Sequence, residues 1–105
     1  MANRVIRGEI LTSETVNSLS LGAEVFYRRL MSVVDDFGRF DGRVSIIRGA
    51  LFILRLDQVS ESKVIEWMNE CSKLIDFYEV DGKPYLEIKN FRQTLRIKKS
   101  KFPAM

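Results

Sequence analysis

The feature that most limits the possible folds is a two-residue turn, Asp81-Gly82, between two runs in which apolar and polar residues alternate. An Asp-Gly pair in this setting is a strong local signal for a β-hairpin. A two-residue loop also sets the register, so Val80 should face Lys83 and Tyr78 should face Tyr85. We therefore predict a hairpin that packs one face on helices and presents these two tyrosines on the other.

Apolar residues spaced three and four apart predict three helices before the hairpin. Ser20 and Ser60 suit N-cap positions, Gly38 suits the end of the first helix, and residues 13–17 suit a short helical turn. Residues 44–52 suit a short buried helix. Its expected buried residues are Ile46, Ile47, Ala50 and Leu51. The expected buried stripe of the third helix is Val64, Trp67, Met68, Cys71 and Leu74.

Two further expectations concern the segments around the strands. Residues 38–42 include two glycines and suggest a turn. Pro84 lacks an N–H group, so we expect it on a strand whose outer edge is unpaired. The expected fold class is α+β, mostly α, with the winged helix-turn-helix order of three helices followed by a two-stranded β-hairpin wing. The 105 residues suit one domain at 1–90, with a basic tail or the start of a linker at 91–105.

The positive charge is concentrated at the end of the chain. Residues 91–105 contain no Asp or Glu, and they hold five of the cations: Arg92, Arg96, Lys98, Lys99 and Lys101. Because the formal net charge of the whole chain is +3, the preceding 90 residues carry −2. Attraction to a polyanion is therefore a property expected of one segment, not of the whole surface.

The composition excludes several classes of chemistry. There is no histidine and a single cysteine, so histidine-activated nucleophiles, histidine metal sites and multi-cysteine zinc sites are absent. We expect a protein that is not an enzyme and that uses no metal or other cofactor. The longest apolar run, residues 50–54, is far too short to span a membrane. With no signal-like N-terminal segment, a cytoplasmic location without membrane contact is expected.

DNA is the expected partner, contacted mainly through its phosphates. The candidate contact residues are Arg43, Arg48, Lys63, Tyr78, Lys83, Tyr85, Arg92, Arg96, Lys98, Lys99 and Lys101. Groove reading by the third helix is disfavoured because Glu61, Glu66 and Glu70 on its exposed face would be repelled by phosphates. For Tyr78 and Tyr85 a cross-strand aromatic pair is the alternative to contact with nucleic acid.

A distant alternative is a metal-dependent nuclease. Glu87-Ile88-Lys89 lies on the second strand, and the hairpin register places Asp76 directly across from Glu87. Two carboxylates can hold Mg²⁺ and a lysine can activate water. A Glu-x-Lys triplet also arises readily by chance in a chain this rich in charge.

Several segments in order resemble the N-terminal winged-helix domain of phage and prophage replication-initiation proteins. They are LSLGAEVFY at 19–27, DDFGRF at 35–40, YEVDGKPY at 78–85, Asn90, Phe91, Gln93 and KSKFP at 99–103. The resemblance implies a domain that engages origin or replication-fork DNA, with a helicase or helicase loader as a further partner. Two alternatives stay open: a protein-interaction module of a replisome and a phage transcription regulator.

Overall fold

The computed structural model describes residues 13–91 and 99–105. The described chain is an α+β domain with four α-helices, a short 3₁₀ turn and a three-stranded antiparallel sheet. None of the helices in these ranges has the length and apolar content needed to cross a membrane. In chain order the elements are α1 (Glu14–Asn17), α2 (Leu21–Val33), β1 (Arg39–Asp41), α3 (Val44–Leu51), α4 (Glu61–Glu70), the 3₁₀ turn (Cys71–Lys73), β2 (Ile75–Val80) and β3 (Lys83–Ile88).

Serine side chains begin three of the helices. The hydroxyl oxygen of Ser20 accepts a hydrogen bond from the Ala23 N–H at 3.1 Å, and that of Ser60 accepts from the Lys63 N–H at 3.1 Å. Ser13 caps the short α1 in the same way. Such a cap satisfies a helix N–H that has no partner within the helix, and losing it costs about 1 kcal/mol. The N-caps predicted at Ser20 and Ser60 are confirmed.

The end of α2 differs from the prediction. Gly38 was expected to end the helix, but α2 ends at Val33, five residues earlier. The reason lies in Asp35, whose carboxylate accepts hydrogen bonds from the N–H groups of Phe37 at 2.9 Å and Arg39 at 3.0 Å. Aspartate side chains that bind nearby backbone N–H groups favour turns over helix. Gly38 instead occupies a left-handed position in this turn, with φ of 82°.

The sheet has one strand more than the predicted two-stranded wing. Residues 38–42, read as a turn, contain β1, which pairs with β3 and makes β3 the central strand in the order β1-β3-β2. A strand of three residues is too short to show alternation in the sequence. The hairpin register is confirmed: Val80 lies opposite Lys83, and Tyr78 lies opposite Tyr85.

Pro84 therefore lies on the central strand, and the prediction of an edge strand is wrong. The pairing of β1 with β3 ends at Asp41 opposite Tyr85, one residue before Pro84, so β1 does not require an N–H from the proline. Just beyond β1 the backbone still lies close to β3, because the Gly42 N–H donates a hydrogen bond to the Pro84 carbonyl oxygen at 2.9 Å. A Cβ on Gly42 would lie 2.7 Å from the Tyr85 nitrogen, which explains glycine at this position.

Apolar side chains from α2, α3, α4 and the inner face of the hairpin form one core. Its largest fully buried members are Phe26, Leu30, Ile47, Ile75, Leu86, Val64 and Cys71. Trp67 on α4 packs at the side of this core, with its ring centroid 5.6 Å from that of Phe52. The predicted stripe of α4 is confirmed at Val64 and Cys71, which are fully buried.

Only half of the burial predicted for α3 is confirmed. Ile47 and Leu51 are buried in the core, whereas Ile46 and Ala50 face outward. An eight-residue helix presents a single stripe to its neighbours, and residues i and i+4 share that stripe. Because both candidate pairs in this helix are apolar, their hydrophobicity alone does not show which pair is buried.

Candidate nucleic-acid interface

Four of the predicted DNA-contacting residues meet at one cleft beside the tip of the hairpin. The cleft has a volume of about 310 Å³, and we call it the hairpin cleft. It lies where the end of β1, the start of β3 and the last residues of the chain come together. Its lining residues are Asp41, Arg43, Lys83, Pro84, Tyr85, Lys101 and Phe102. Arg43, Lys83, Tyr85 and Lys101, which are separated widely in the sequence, therefore belong to one site.

The hairpin cleft is electropositive. Three cations against the single carboxylate of Asp41 leave a formal charge of +2 on its lining. Asp41 is already paired with Arg43, whose Nη2 lies 2.6 Å from its Oδ2. Hydrogen bonding from the Arg43 side chain lowers the pKa of Asp41 below its ordinary value, so the carboxylate stays ionised at neutral pH.

Lys83 and Lys101 supply the charge that is not neutralised. Both are exposed, and neither forms an ion pair within residues 13–91 and 99–105. An ammonium group without a fixed partner can bind an external anion without first breaking an internal ion pair. The two lysines are thus the groups of the cleft best placed to contact a phosphate.

The last seven described residues, 99–105, pack against the sheet, and we call them the C-terminal strap. The ring of Phe102 lies 5.9 Å from that of Phe40 on β1 and 6.3 Å from that of Tyr85 on β3. The Tyr78 hydroxyl donates a hydrogen bond to the Pro103 carbonyl at 2.7 Å. Aromatic and polar contacts together fix this segment beside the hairpin cleft.

Two polar contacts secure the strap at the start of β1. The Ser100 hydroxyl is hydrogen-bonded to Asp35 Oδ2, and Nη1 of Arg39 donates to the Phe102 carbonyl at 3.4 Å. Within the strap, the Phe102 N–H donates to the Ser100 hydroxyl oxygen at 3.0 Å. Lys101 lies between the two residues that make these contacts, so its backbone is anchored on both sides.

Tyr78 and Tyr85 form the cross-strand aromatic pair that the sequence allowed. Their ring centroids are 5.9 Å apart, with an angle of 32° between the planes. Burial raises the pKa of Tyr78, which keeps its hydroxyl protonated and able to donate to Pro103. Both rings are half-buried under the strap, and Tyr85 also lines the hairpin cleft. Their observed contacts are with the protein itself.

Arg48 and Lys63 lie in a second groove, of about 460 Å³, between α3 and α4. The Arg48 guanidinium donates to the carbonyl oxygens of Val59 and Leu56, and so holds the loop between the two helices. Lys63 lies 3.3 Å from Glu66. The groove also contains Asp57, so its two cations and two carboxylates leave no net formal charge. It is a poorer phosphate site than the hairpin cleft.

The remaining predicted contacts are those of the basic tail. Lys99 and Lys101 are described and exposed. Arg92, Arg96 and Lys98 lie outside the described residues. The third helix, α4, has the acidic character expected from its sequence, and Glu70 is engaged at the start of α2, where its carboxylate accepts from the N–H and the hydroxyl of Ser20 at 3.0 and 2.9 Å.

The residues of the nuclease alternative are placed as the register required, but each carboxylate has a cation beside it. Asp76 lies opposite Glu87. Lys89 Nζ lies 3.6 Å from Asp76, and Arg39 Nε lies 2.6 Å from Glu87. Across residues 13–91 and 99–105, no three acidic or cysteine side chains come together as a metal site. Ion pairs of the sheet are therefore the observed role of these groups.

Sequence reasoning missed three residues on which the site depends. Asp41 pairs with Arg43, Asp35 holds Ser100, and Phe102 docks the strap on the sheet. Of the three, only Phe102 could have been noticed in the sequence, because an aromatic residue within a basic stretch is unusual for a solvated tail. Its partners, however, lie about 20 and 60 residues earlier in the chain.

Comparisons of this chain with protein-family models, curated proteins and solved structures found no match. The resemblance to replication-initiation proteins therefore stays a prediction from the sequence.

Proposed function

We propose that this domain binds DNA through its phosphate backbone, with the hairpin cleft as the central contact. The observation that carries the proposal is the meeting of Lys83 and Lys101, both without an ion-pair partner in the described ranges, with Arg43 in one cleft of formal charge +2. Cationic side chains that contact phosphates supply affinity without base recognition. Binding should accordingly be sensitive to salt and tolerant of sequence.

The arrangement of elements supports a winged-helix mode of DNA binding in which the wing contributes more of the contacts to DNA than the third helix. Helices α2, α3 and α4 precede the β2–β3 hairpin, as in a winged helix, and β1 completes the sheet. The face of α4 that a groove-reading helix would present has Glu61 and Glu66 exposed, and its Lys63 is paired with Glu66. Phosphates are attracted to the hairpin cleft and repelled by α4.

The biological setting we propose is initiation of phage DNA replication. This step rests on the resemblance at residues 19–27, 35–40, 78–85 and 99–103. The last of these segments lies within the strap, which brings Lys101 to the hairpin cleft. A domain that holds DNA by its backbone fits a role in which other parts of an initiation complex select the site.

Fluorescence anisotropy with labelled duplex and single-stranded DNA tests the proposal. Affinity should fall between 50 and 200 mM salt, because each neutralised phosphate adds about 0.9 to the slope of log K against log salt for duplex DNA. Lys83→Ala and Lys101→Ala should each weaken binding to all sequences alike and lower that slope by about 1. Arg43→Ala is a poorer choice, since it would leave Asp41 unpaired beside the phosphate.

Lys73→Ala is the matched control, because Lys73 is an exposed lysine of the 3₁₀ turn that lines neither groove. It should leave both the affinity and the salt slope close to those of the wild type. Absence of binding at 50 mM salt would contradict the proposal. So would equal effects of Lys73→Ala and Lys83→Ala, since binding would then follow total charge and not the cleft.

A protein-interaction module of the replisome is the second candidate. The observation in its favour is the exposed apolar side chains of the α3–α4 region: Leu54 is 91% exposed, Ile53 is 63% exposed, and Ile46 on α3 also faces outward. Exposed apolar groups close together are common at protein interfaces. Capture of a purified helicase or helicase loader, lost in Leu54→Glu while DNA binding is kept, would support this candidate; unchanged capture would contradict it.

A further inference from the structure

We infer that Phe102 is a positioning residue for DNA binding, because it docks the C-terminal strap on the sheet and so holds Lys101 in the hairpin cleft. Docking of the strap and binding of phosphate are then coupled, each favouring the other. This inference rests on the proposed function, and it goes further by assigning a role in binding to an uncharged side chain that touches no phosphate.

Phe102 is held on the sheet by two aromatic neighbours. Its half-buried ring lies against Phe40 at 5.9 Å and Tyr85 at 6.3 Å, with angles near 60° between the ring planes in both pairs. Tilted and edge-to-face contacts at these distances are the favourable arrangement for aromatic rings. Phe40 and Tyr85 belong to the neighbouring strands β1 and β3, so the ring of Phe102 is held by residues of both strands.

The residues on either side of Lys101 are held by polar contacts. Ser100 is tied to Asp35, and the carbonyl groups of Phe102 and Pro103 accept hydrogen bonds from Arg39 and Tyr78. None of these contacts involves the lysine ammonium group. The backbone of Lys101 is therefore held by its neighbours, while its side chain stays exposed on the lining of the cleft.

Lys101 depends on docking of the strap for its place in the same cleft as Lys83. Lys83 belongs to β3, at the hairpin turn, and is positioned by the sheet itself. Lys101 reaches the same cleft only through the strap. When the competent state is a fraction of the population, the apparent affinity falls by that fraction. Undocking the strap should consequently weaken DNA binding with no change in the charge of the protein.

Thermodynamic linkage makes this coupling reciprocal: if docking strengthens DNA binding, DNA must strengthen docking by the same factor. The proposed coupling also limits how much the replacement of Phe102 can weaken DNA binding. If Phe102 acts through Lys101, replacing Phe102 cannot weaken binding more than replacing Lys101, and it should have no further effect once Lys101 has been replaced.

The test is a double-mutant cycle measured by DNA anisotropy on the full chain. Phe102→Ala should weaken duplex binding at 50 mM salt by about 3- to 10-fold, as Lys101→Ala should, on the basis of one phosphate contact. The double variant should bind no more weakly than Lys101→Ala alone. Phe102→Tyr, which keeps the ring, should retain wild-type affinity. Met105→Ala truncates an exposed side chain of the same strap and is the matched control.

A second measurement follows docking without DNA. Trypsin cleavage between Lys99 and Ser100, followed by mass spectrometry, should be several-fold faster in Phe102→Ala than in the wild type and in Met105→Ala. Added duplex DNA should slow this cleavage more in the wild type than in the Lys83→Ala variant, because the latter lacks a phosphate contact in the same cleft.

The outcomes separate the inference from the proposed function. If the wild type binds DNA and Phe102→Ala binds equally well although its strap is cleaved faster, the inference is overturned and the proposed function stands. Additive losses in the double variant would also overturn it, because Phe102 would then act independently of Lys101. Failure of the wild type itself to bind DNA is seen in the wild-type titration alone and overturns the proposed function together with the inference.

Discussion

The hydroxyl group of Tyr78 on β2 donates a hydrogen bond to the carbonyl oxygen of Pro103, 25 residues later, over 2.7 Å. This bond joins the hairpin to the last residues of the chain. It lies on the face of the sheet turned away from the helices, where the C-terminal strap packs against Tyr78 and Tyr85. The two tyrosines, for which the sequence left open a cross-strand pair or contact with nucleic acid, form that pair and contact the strap.

Removing this bond should loosen the strap without disturbing the core. Tyr78→Phe keeps the ring that packs on Tyr85 but loses the donor, and we expect a cost of about 1 kcal/mol or less in the free energy of unfolding. Urea denaturation followed by the fluorescence of Trp67 measures it. Tyr85→Phe is the matched control, since no hydrogen bond of its hydroxyl is found within the described ranges. An equal loss in both variants would contradict the role given to the Tyr78 hydroxyl.

Two glycines should respond to alanine in opposite directions. In Gly42→Ala the new methyl group would lie 2.7 Å from the Tyr85 nitrogen and 2.8 Å from the Pro84 carbonyl carbon. The backbone must then move, and we expect a loss of about 1–3 kcal/mol. Gly49 lies within α3 with nothing within 4 Å of its Cβ position. Gly49→Ala should stabilise the fold by about 0.5–1 kcal/mol.

Thermal and urea unfolding of the two alanine variants beside the wild type provide the measurement. A tolerated Gly42→Ala would mean that the end of β1 is less closely packed on β3 than the geometry indicates. A destabilising Gly49→Ala would mean that α3 has a neighbour on that side.

Replacing Arg48 should reduce stability more than DNA affinity. Its guanidinium binds the Val59 and Leu56 carbonyls, and the groove around it carries no net formal charge. We expect Arg48→Ala to cost about 1–3 kcal/mol in unfolding free energy, because two carbonyl groups lose a charged donor. Arg48→Lys should recover little, since an ammonium group cannot reproduce the two-pronged geometry. A large loss of DNA affinity with unchanged stability would show that Arg48 contacts phosphate.

The thiol of Cys71 should be protected in the folded protein. The residue is fully buried, and burial raises its pKa to about 11 from an ordinary value of 9.0. At pH 8 it should react with a thiol reagent far more slowly in the native protein than in urea. Equal rates in the two states would contradict burial of the thiol at the junction of α4 and the 3₁₀ turn.

The raised pKa of Cys71 also predicts a loss of stability at alkaline pH. Because the folded state holds the proton more tightly than the unfolded state, the contribution of Cys71 is complete below pH 9 and is lost as the pH rises towards 11. Lysines and tyrosines titrate in the same range, so the comparison is between wild type and Cys71→Ala. The free energy of unfolding should fall less steeply with pH in the variant, and parallel curves would contradict the assignment.

Features governed by neighbours in sequence could be predicted from the sequence. The Asp81-Gly82 turn sets the hairpin register, and the hydroxyls of Ser20 and Ser60 cap helices within three residues. The periodicity of α4 identified Val64 and Cys71 as buried. The acidic face of α4 and the basic end of the chain were also evident from residue order alone.

The tertiary structure alone decided how distant segments combine. β1 forms a strand because it pairs with the edge of β3. Ile47 is buried and Ile46 is not, because only one side of α3 packs on the core. The Arg48 side chain binds carbonyl groups of the loop between α3 and α4. The hairpin cleft likewise needs the strap to return to the sheet. A local pattern of three or four residues does not indicate which residue a side chain will contact 40 or 60 positions away in the chain. Those contacts are determined by the packing of the assembled core.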